Sequence, residues 1–228
     1  LSINTTTIGT ATITAQIGNK TATCIITISD LQISGSVTIN NVNWSTCNVD
    51  APKTFTDRPT AYGMFYQWNS NVGWPSTGTI GSITATDGST TWNDDWTGGY
   101  SSPSSSDTWT TANDPSPEGY RLPTYEEIEK LVDPENVITQ WTTFNGVNGR
   151  KFTDKFSGNS IFIPASGCRL AGPEDPGMLN GASSDGHFWC STAYTSVYAY
   201  AIDFGSISAW WPRKGTRATG LSIRSVAE

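Results

Sequence analysis

The chain has 228 residues, with 20 acidic against 13 basic side chains, a single histidine and a formal net charge of −7 at pH 7. That deficit of Lys and Arg argues against nucleic-acid binding, which depends on a clustered basic surface that releases counterions from the phosphate backbone. Charged residues are only 14% and aromatic residues 11%, ten of them Trp, so the chain can build a core and is not of disordered composition. The remainder is mostly Thr, Ser, Gly, Asn and Pro, the balance of a loop-rich β protein and one that suits an extracellular module.

Residues 8–17 and 21–28 alternate in strand fashion around the polar break Gly18-Asn19-Lys20, which predicts a β-hairpin. This pair is assigned to a first unit, residues 1–30, and everything from 31 to 228 to a second. In the second unit, Ile39 to Val49 reads as a strand ending in a turn, and the aromatic-dense run Tyr62 to Trp68 is compatible with strand or helix. Residues 69–119 are polar but punctuated by Trp74, Trp92, Trp96 and Trp109, and read as a long excursion pinned by aromatics.

A helix is predicted after Arg121-Leu122-Pro123, with Thr124 as N-cap and Glu127 three residues on to complete a capping box. Glu126 and Glu127 favour its positive end, and Tyr125, Ile128, Leu131 and Val132 share one apolar face before Asp133-Pro134 stops it. Short strands are expected at residues 160–165, 187–192, 197–204, 207–211 and 220–226. In the fourth of these, Trp210 and Trp211 are adjacent and so face opposite ways, with Pro212-Arg213-Lys214 following.

No run of about 18 apolar residues is present to span a bilayer. Cysteines stand at 24, 47, 168 and 190, without the close C-x-x-C pairs of zinc or redox sites. The even count permits one or two disulfides, with Cys168 to Cys190 the pair singled out, and buried free thiols are the equal reading. The single imidazole, His187, leaves a nucleophile–base–orienter triad poorly supplied. Acidic residues concentrate between 84 and 140, where Asp94-Asp95 could donate oxygens to calcium or form a solvated loop.

The hairpin's wording resembles the last two strands of bacterial Ig-like group 2 domains, of which only this tail is expected here. The second unit resembles the Fibrobacter succinogenes major paralogous domain. The matching pieces run in order from Val42-Asn43-Trp44-Ser45-Thr46-Cys47-Asn48-Val49 and Tyr62 to Trp68, through Ala112 to Thr124 and Asn145 to Phe152. They continue with Ile161-Phe162-Ile163-Pro164-Ala165-Ser166-Gly167-Cys168-Arg169, His187 to Thr192, Ala199 to Phe204 and Arg217 to Arg224, covering about residues 38–228. Ser116 stands where many members have Cys, and Cys190 where Ser is usual, so both disturb any inherited disulfide.

The resemblance implies an α+β, C-type-lectin-like fold of mostly short antiparallel strands with one or two helices and long loops, after an N-terminal β-hairpin of Ig-like type. It implies an extracellular or cell-surface setting. Arg121 to Thr124 is shared with formylglycine-generating enzymes and reports fold, its local reading being a helix start; Arg217 and Arg224 belong to the closing pattern and are expected to be structural.

Alternation in residues 198–204 puts Tyr200, Ile202 and Phe204 on a core face and Ala199, Ala201 and Asp203 on the other. In proteins resembling this one, the second face and the following loop form the ligand surface. Here that implies Tyr194, Thr195, Asp203, Ser208, Trp210, Trp211 and Arg213. The expected function is a non-enzymatic binding or adhesion module for a host or bacterial surface glycan or protein, with no nucleic acid and no transmembrane segment in this chain. The alternatives are a structural subunit or spacer of a surface assembly such as a fimbria, for which an exposed edge in residues 8–28 would matter, and a formylglycine-generating-type oxidase using Cys168 and Cys190.

Overall fold

The computed structural model describes residues 9–28 and 35–228. The chain divides into two compact units, Leu1–Ile33 and Ser34–Glu228. In the first, β1 (Gly9–Ile17) and β2 (Lys20–Ile28) form an antiparallel hairpin with Ile17 opposite Lys20. The two-residue turn places Gly18 at φ 60°, the first central position of a hairpin turn whose twist demands a left-handed residue.

The second unit is a β-rich α+β fold of short antiparallel strands with one α-helix among the described residues. Its first strands, β3 (Ser36–Ile39) and β4 (Val42–Ser45), join through Asn40 and Asn41, both left-handed at φ 46° and 62°. Residues 39–49 are therefore not one strand. Two asparagines in succession supply the paired positive φ of a tight hairpin turn, and asparagine tolerates it better than other side chains.

Short β5 (Phe65–Tyr66) and β6 (Gly73–Trp74) pair with each other, which resolves the aromatic run as a strand. Then β7 (Tyr120–Arg121) leads to the helix α1 (Tyr125–Val132). Thr124 accepts from the Glu127 amide and Glu127 returns a carboxylate to the Thr124 amide, forming the expected capping box. Arg121 adds a bidentate grip on Glu127 at 2.7 and 2.8 Å, so this stretch serves as a helix start.

After the helix, β8 (Val137–Phe144) and β9 (Val147–Asp154) form a hairpin through Asn145-Gly146, with β10 (Ser160–Pro164) on the far edge of β9. Sequence reading placed no strands at β8 and β9. The small pair β11 (Cys168–Arg169) and β12 (Leu179–Asn180) follows. A three-stranded antiparallel sheet then runs in the order β13 (Gly186–Ala193), β14 (Tyr198–Phe204), β15 (Ala209–Thr216).

The expected strand at 220–226 shrinks to β16 (Val226–Ala227), which lies between β4 and β7. Its approach changes partner at almost every step. Gly220 pairs with Arg169, Leu221 with Tyr66, Ser222 with Phe188, and the Ile223 carbonyl accepts from Val49. The chain is handed from one backbone partner to the next, and no two neighbours face the same strand.

Two large hydrophobic clusters lie on opposite sides of the β13–β14–β15 sheet. Phe188, Cys190, Ile202 and Phe204 point into one with Trp44, Ile128 and Phe152. Trp189, Ala199 and Ala201 point into the other with Tyr66, Trp68, Trp109 and Leu221. The face of β14 expected to be open is thus covered along Ala199 and Ala201, which are 0% and 1% exposed. The cover is built partly from the polar excursion of residues 69–119, in which Trp74 and Trp92 also form a small cluster of their own.

Buried arginines hold that excursion in place of strand pairing. Arg169, 0% exposed, donates to the carbonyls of Pro75, Thr77, Gly78 and Gly177. Burial pulls its guanidinium down to about 10, still charged at neutral pH. Arg217, also 0% exposed, pairs with Asp107 at 2.7 Å, donates to the carbonyls of Thr97, Ser104 and Thr195, and stacks on Trp68. Arg224 donates to Ser45 and Phe162 carbonyls in the interior. Arg217 and Arg224 are structural, as expected.

Candidate functional site

The second cluster does not cover the whole of its side of the sheet. Beyond Ala201 the same face carries Asp203, and its register partners are His187 on β13 and Trp210 on β15. On β15 the register shifts between the partners of Ala201 and Asp203, so Arg213 opposes Ala201 while Trp210 opposes Asp203. Three β15 residues thus cover two β14 intervals, a bulge at Trp211-Pro212 on an edge strand, where a proline without N–H is tolerated. The bulge brings Arg213 and Trp210 to one face.

Asp203 is the hub of this face. Its Oδ1 meets His187 Nδ1 at 2.7 Å and its Oδ2 accepts from Arg213 Nε at 2.8 Å. Burial by itself raises the Asp203 carboxyl, but the hydrogen bonds and charges of His187 and Arg213 outweigh it and hold the group below its ordinary value. Arg213 is 59% exposed and Trp210 is 44% exposed. His187, at the start of the strand expected at 187–192, is on β13 and held in orientation by a carboxylate.

The other expected site residues separate. Trp211 turns to the opposite face and packs against Tyr125 and Tyr200, with ring centroids at 4.8 and 6.1 Å, and its indole N–H is shielded from solvent. Tyr194 lies on that same side, against Tyr200 and beneath Lys214, whose Nζ is 3.7 Å above its ring. Thr195 shapes the β13–β14 turn: its hydroxyl accepts from the Val197 and Tyr198 amides and its carbonyl from Arg217. The Ser208 carbonyl closes the β14–β15 turn by accepting from Gly205 at 3.0 Å. The seven residues do not form one surface; Asp203, Trp210 and Arg213 do, and His187 joins them.

His187 was legible only as a lone imidazole, because its partner is a cross-strand neighbour 16 positions away. Asp185 is the second addition. A Cβ on Gly205 would stand 3.1 Å from Asp185 Oδ1 and 3.7 Å from the Trp210 ring, so this glycine lets both approach the β14–β15 turn.

Of the two thiol readings, buried free thiols hold for the described cysteines, and the Cys168 to Cys190 bridge does not. Cys47, Cys168 and Cys190 are free and buried, while Cys24 falls outside the described side chains. Cys168 and Cys190 belong to different clusters, on opposite sides of the sheet, so they neither bridge nor form a metal pair. Burial pushes them up to about 11 and about 12, away from the thiolate that metal binding requires. Ser116, at the position where many members of the resembled family have Cys, instead shares a buried 2.8 Å hydrogen bond with Ser225.

Asp94 and Asp95 lie in a turn in which the Asp95 amide donates to the Asn93 side chain. Among the described residues no three His, Cys, Asp or Glu side chains stand together as a metal site, so the calcium reading has no carboxylate cluster behind it. No described helix is long and apolar enough to cross a membrane. No family model, curated protein or solved structure matches the chain.

Proposed function

We propose that the second unit is a non-enzymatic binding or adhesion module of a bacterial surface protein, with a C-type-lectin-like fold, as its resemblance to the Fibrobacter succinogenes major paralogous domain implies. Its ligand is a glycan or protein of a host or bacterial surface, met at the cell exterior. The observation that carries this reading is Trp210, a large ring 44% exposed beside a polar cluster already fixed in place. A rigid aromatic gives contact area at low entropic cost, and Asp203 holds Arg213 ready so that little order is lost on binding.

A combined glycan and protein array tests this with the parent chain and an Asp203→Asn variant of matched thermal stability. Specific binding that weakens at least about fivefold in the variant, the effect of about 1 kcal/mol, supports the reading. Binding indifferent to Asp203 refutes the placement, and no binding on either array favours the structural-subunit alternative.

A further inference from the structure

The open end of this face offers more hydrogen-bonding capacity than its own contacts use. Arg213 commits Nε to Asp203, and among the described residues its two terminal nitrogens engage no partner. His187 commits Nδ1, which leaves Nε2 as the ring's other polar atom. Asp185 Oδ2 accepts from the Ser184 hydroxyl, while its Oδ1 and the Trp210 ring both approach Gly205. The exposed Trp210 thus shares its face of the sheet with a donor fork and an imidazole that both meet at its register partner, Asp203.

The charges here leave no positive excess. Arg213 is paired with Asp203, and Asp185 adds a second carboxylate. A face with a carboxylate in excess does not attract an anion. It does match hydroxyl groups, each at once donor and acceptor. On the β14–β15 turn the exposed large apolar side chains are Ile207 and Trp210. That is a small apolar area beside the roughly 1,200–2,000 Å² of a stable protein interface, but one pyranose ring covers an indole.

We infer that the ligand of this face is a neutral pyranose, stacked by its C–H face on Trp210 with hydroxyls bonded to the terminal nitrogens of Arg213 and to His187 Nε2. This rests on the reading of the face as the binding surface.

The test is a titration of the full chain with the methyl glycosides of glucose, galactose, mannose and N-acetylglucosamine, with glucuronic and sialic acid glycosides in parallel, followed by ligand-observed NMR. At least one neutral glycoside is expected to bind with a dissociation constant below about 10 mM. Trp210→Ala and Arg213→Ala should each weaken it at least about tenfold at a temperature where both remain folded, with a melting temperature lowered by no more than about 4 °C, and Trp210→Phe should retain part of it. Tighter binding of the acidic glycosides, or no neutral glycoside bound, overturns the inference. If a protein ligand is instead bound in a Trp210-dependent way, the module reading survives that failure; glycoside binding untouched by both Ala variants overturns the inference and its site together.

Discussion

Asp154 shows how one side chain joins segments far apart in sequence. Its Oδ2 accepts from the Asn40 amide at 2.7 Å, in the β3–β4 turn, and its Oδ1 accepts from the amides of Phe156 and Ser157 in its own turn. These bonds, led by the Ser157 amide, hold the carboxyl down at about 2. A folded pKa below the unfolded value of about 3.9 means that the stabilisation is complete above that value and is lost as pH falls from about 4 to about 2. Asp154→Asn should therefore lower the melting temperature at pH 7, and the gap to the parent should close near pH 2. A gap constant across pH would contradict this. At this scale the opposite orientations of Trp210 and Trp211 were legible, because alternation in a strand is local. The partners of Asp203 were not, since they depend on which strands lie either side of β14 and on the bulge at Trp211-Pro212.

Among the elements, α1 was the most readable. Its start depends on residues within one turn: Thr124, Glu127 and the Arg121 fork that holds Glu127. Burial raises the Glu127 carboxyl, but the Arg121 and Thr124 hydrogen bonds prevail and keep it below the usual range. Thr124→Ala should cost about 1 kcal/mol in denaturant unfolding, and a change under a few tenths would show that the cap contributes nothing beyond the ion pair. The β8–β9 hairpin was hidden for a different reason. Its Asn145-Gly146 turn is a strong hairpin signal, but Ile138 and Phe144 are exposed, 53% and 40%, and Thr139 and Thr142 are half-buried. That mixture blurs the alternation by which a strand is recognised. On β14 the pattern was clear and its reading was half right. Ala199 and Ala201 are small because Trp189 and its neighbours pack over them, so the face that the resemblance implies to be open is closed along these two residues and open only at Asp203.

For the second unit as a whole, about fifty residues with little regular structure are fastened to the sheet by side chains. Arg217 is central to this, with Asp107 and the carbonyls of Thr97, Ser104 and Thr195 around one guanidinium. Arg217→Ala leaves Asp107 without its cation and should cost about 3–5 kcal/mol, with new limited-proteolysis cuts in residues 97–107. Arg217→Lys should not restore protection, since an ammonium cannot span a fork of four acceptors. Intact resistance in both variants would show that the aromatics alone hold the excursion. The sequence announced an excursion pinned by tryptophans; it could not announce a second core built from it, because the contacts joining Arg217 to residues 97–107 span more than a hundred positions.

The two faces of the sheet give the account its sharpest test. Trp210→Ala and Trp211→Ala, each followed by thermal unfolding and by binding on the same glycan array, should behave in opposite ways. Trp210→Ala should leave stability within about 1 kcal/mol, as for a surface substitution, and abolish glycan binding. Trp211→Ala should cost about 3 kcal/mol, as for truncation of a packed aromatic, and retain binding at temperatures where the variant remains folded. Binding lost only in folded Trp211→Ala, or kept in Trp210→Ala, would place the ligand on the other face and contradict the account.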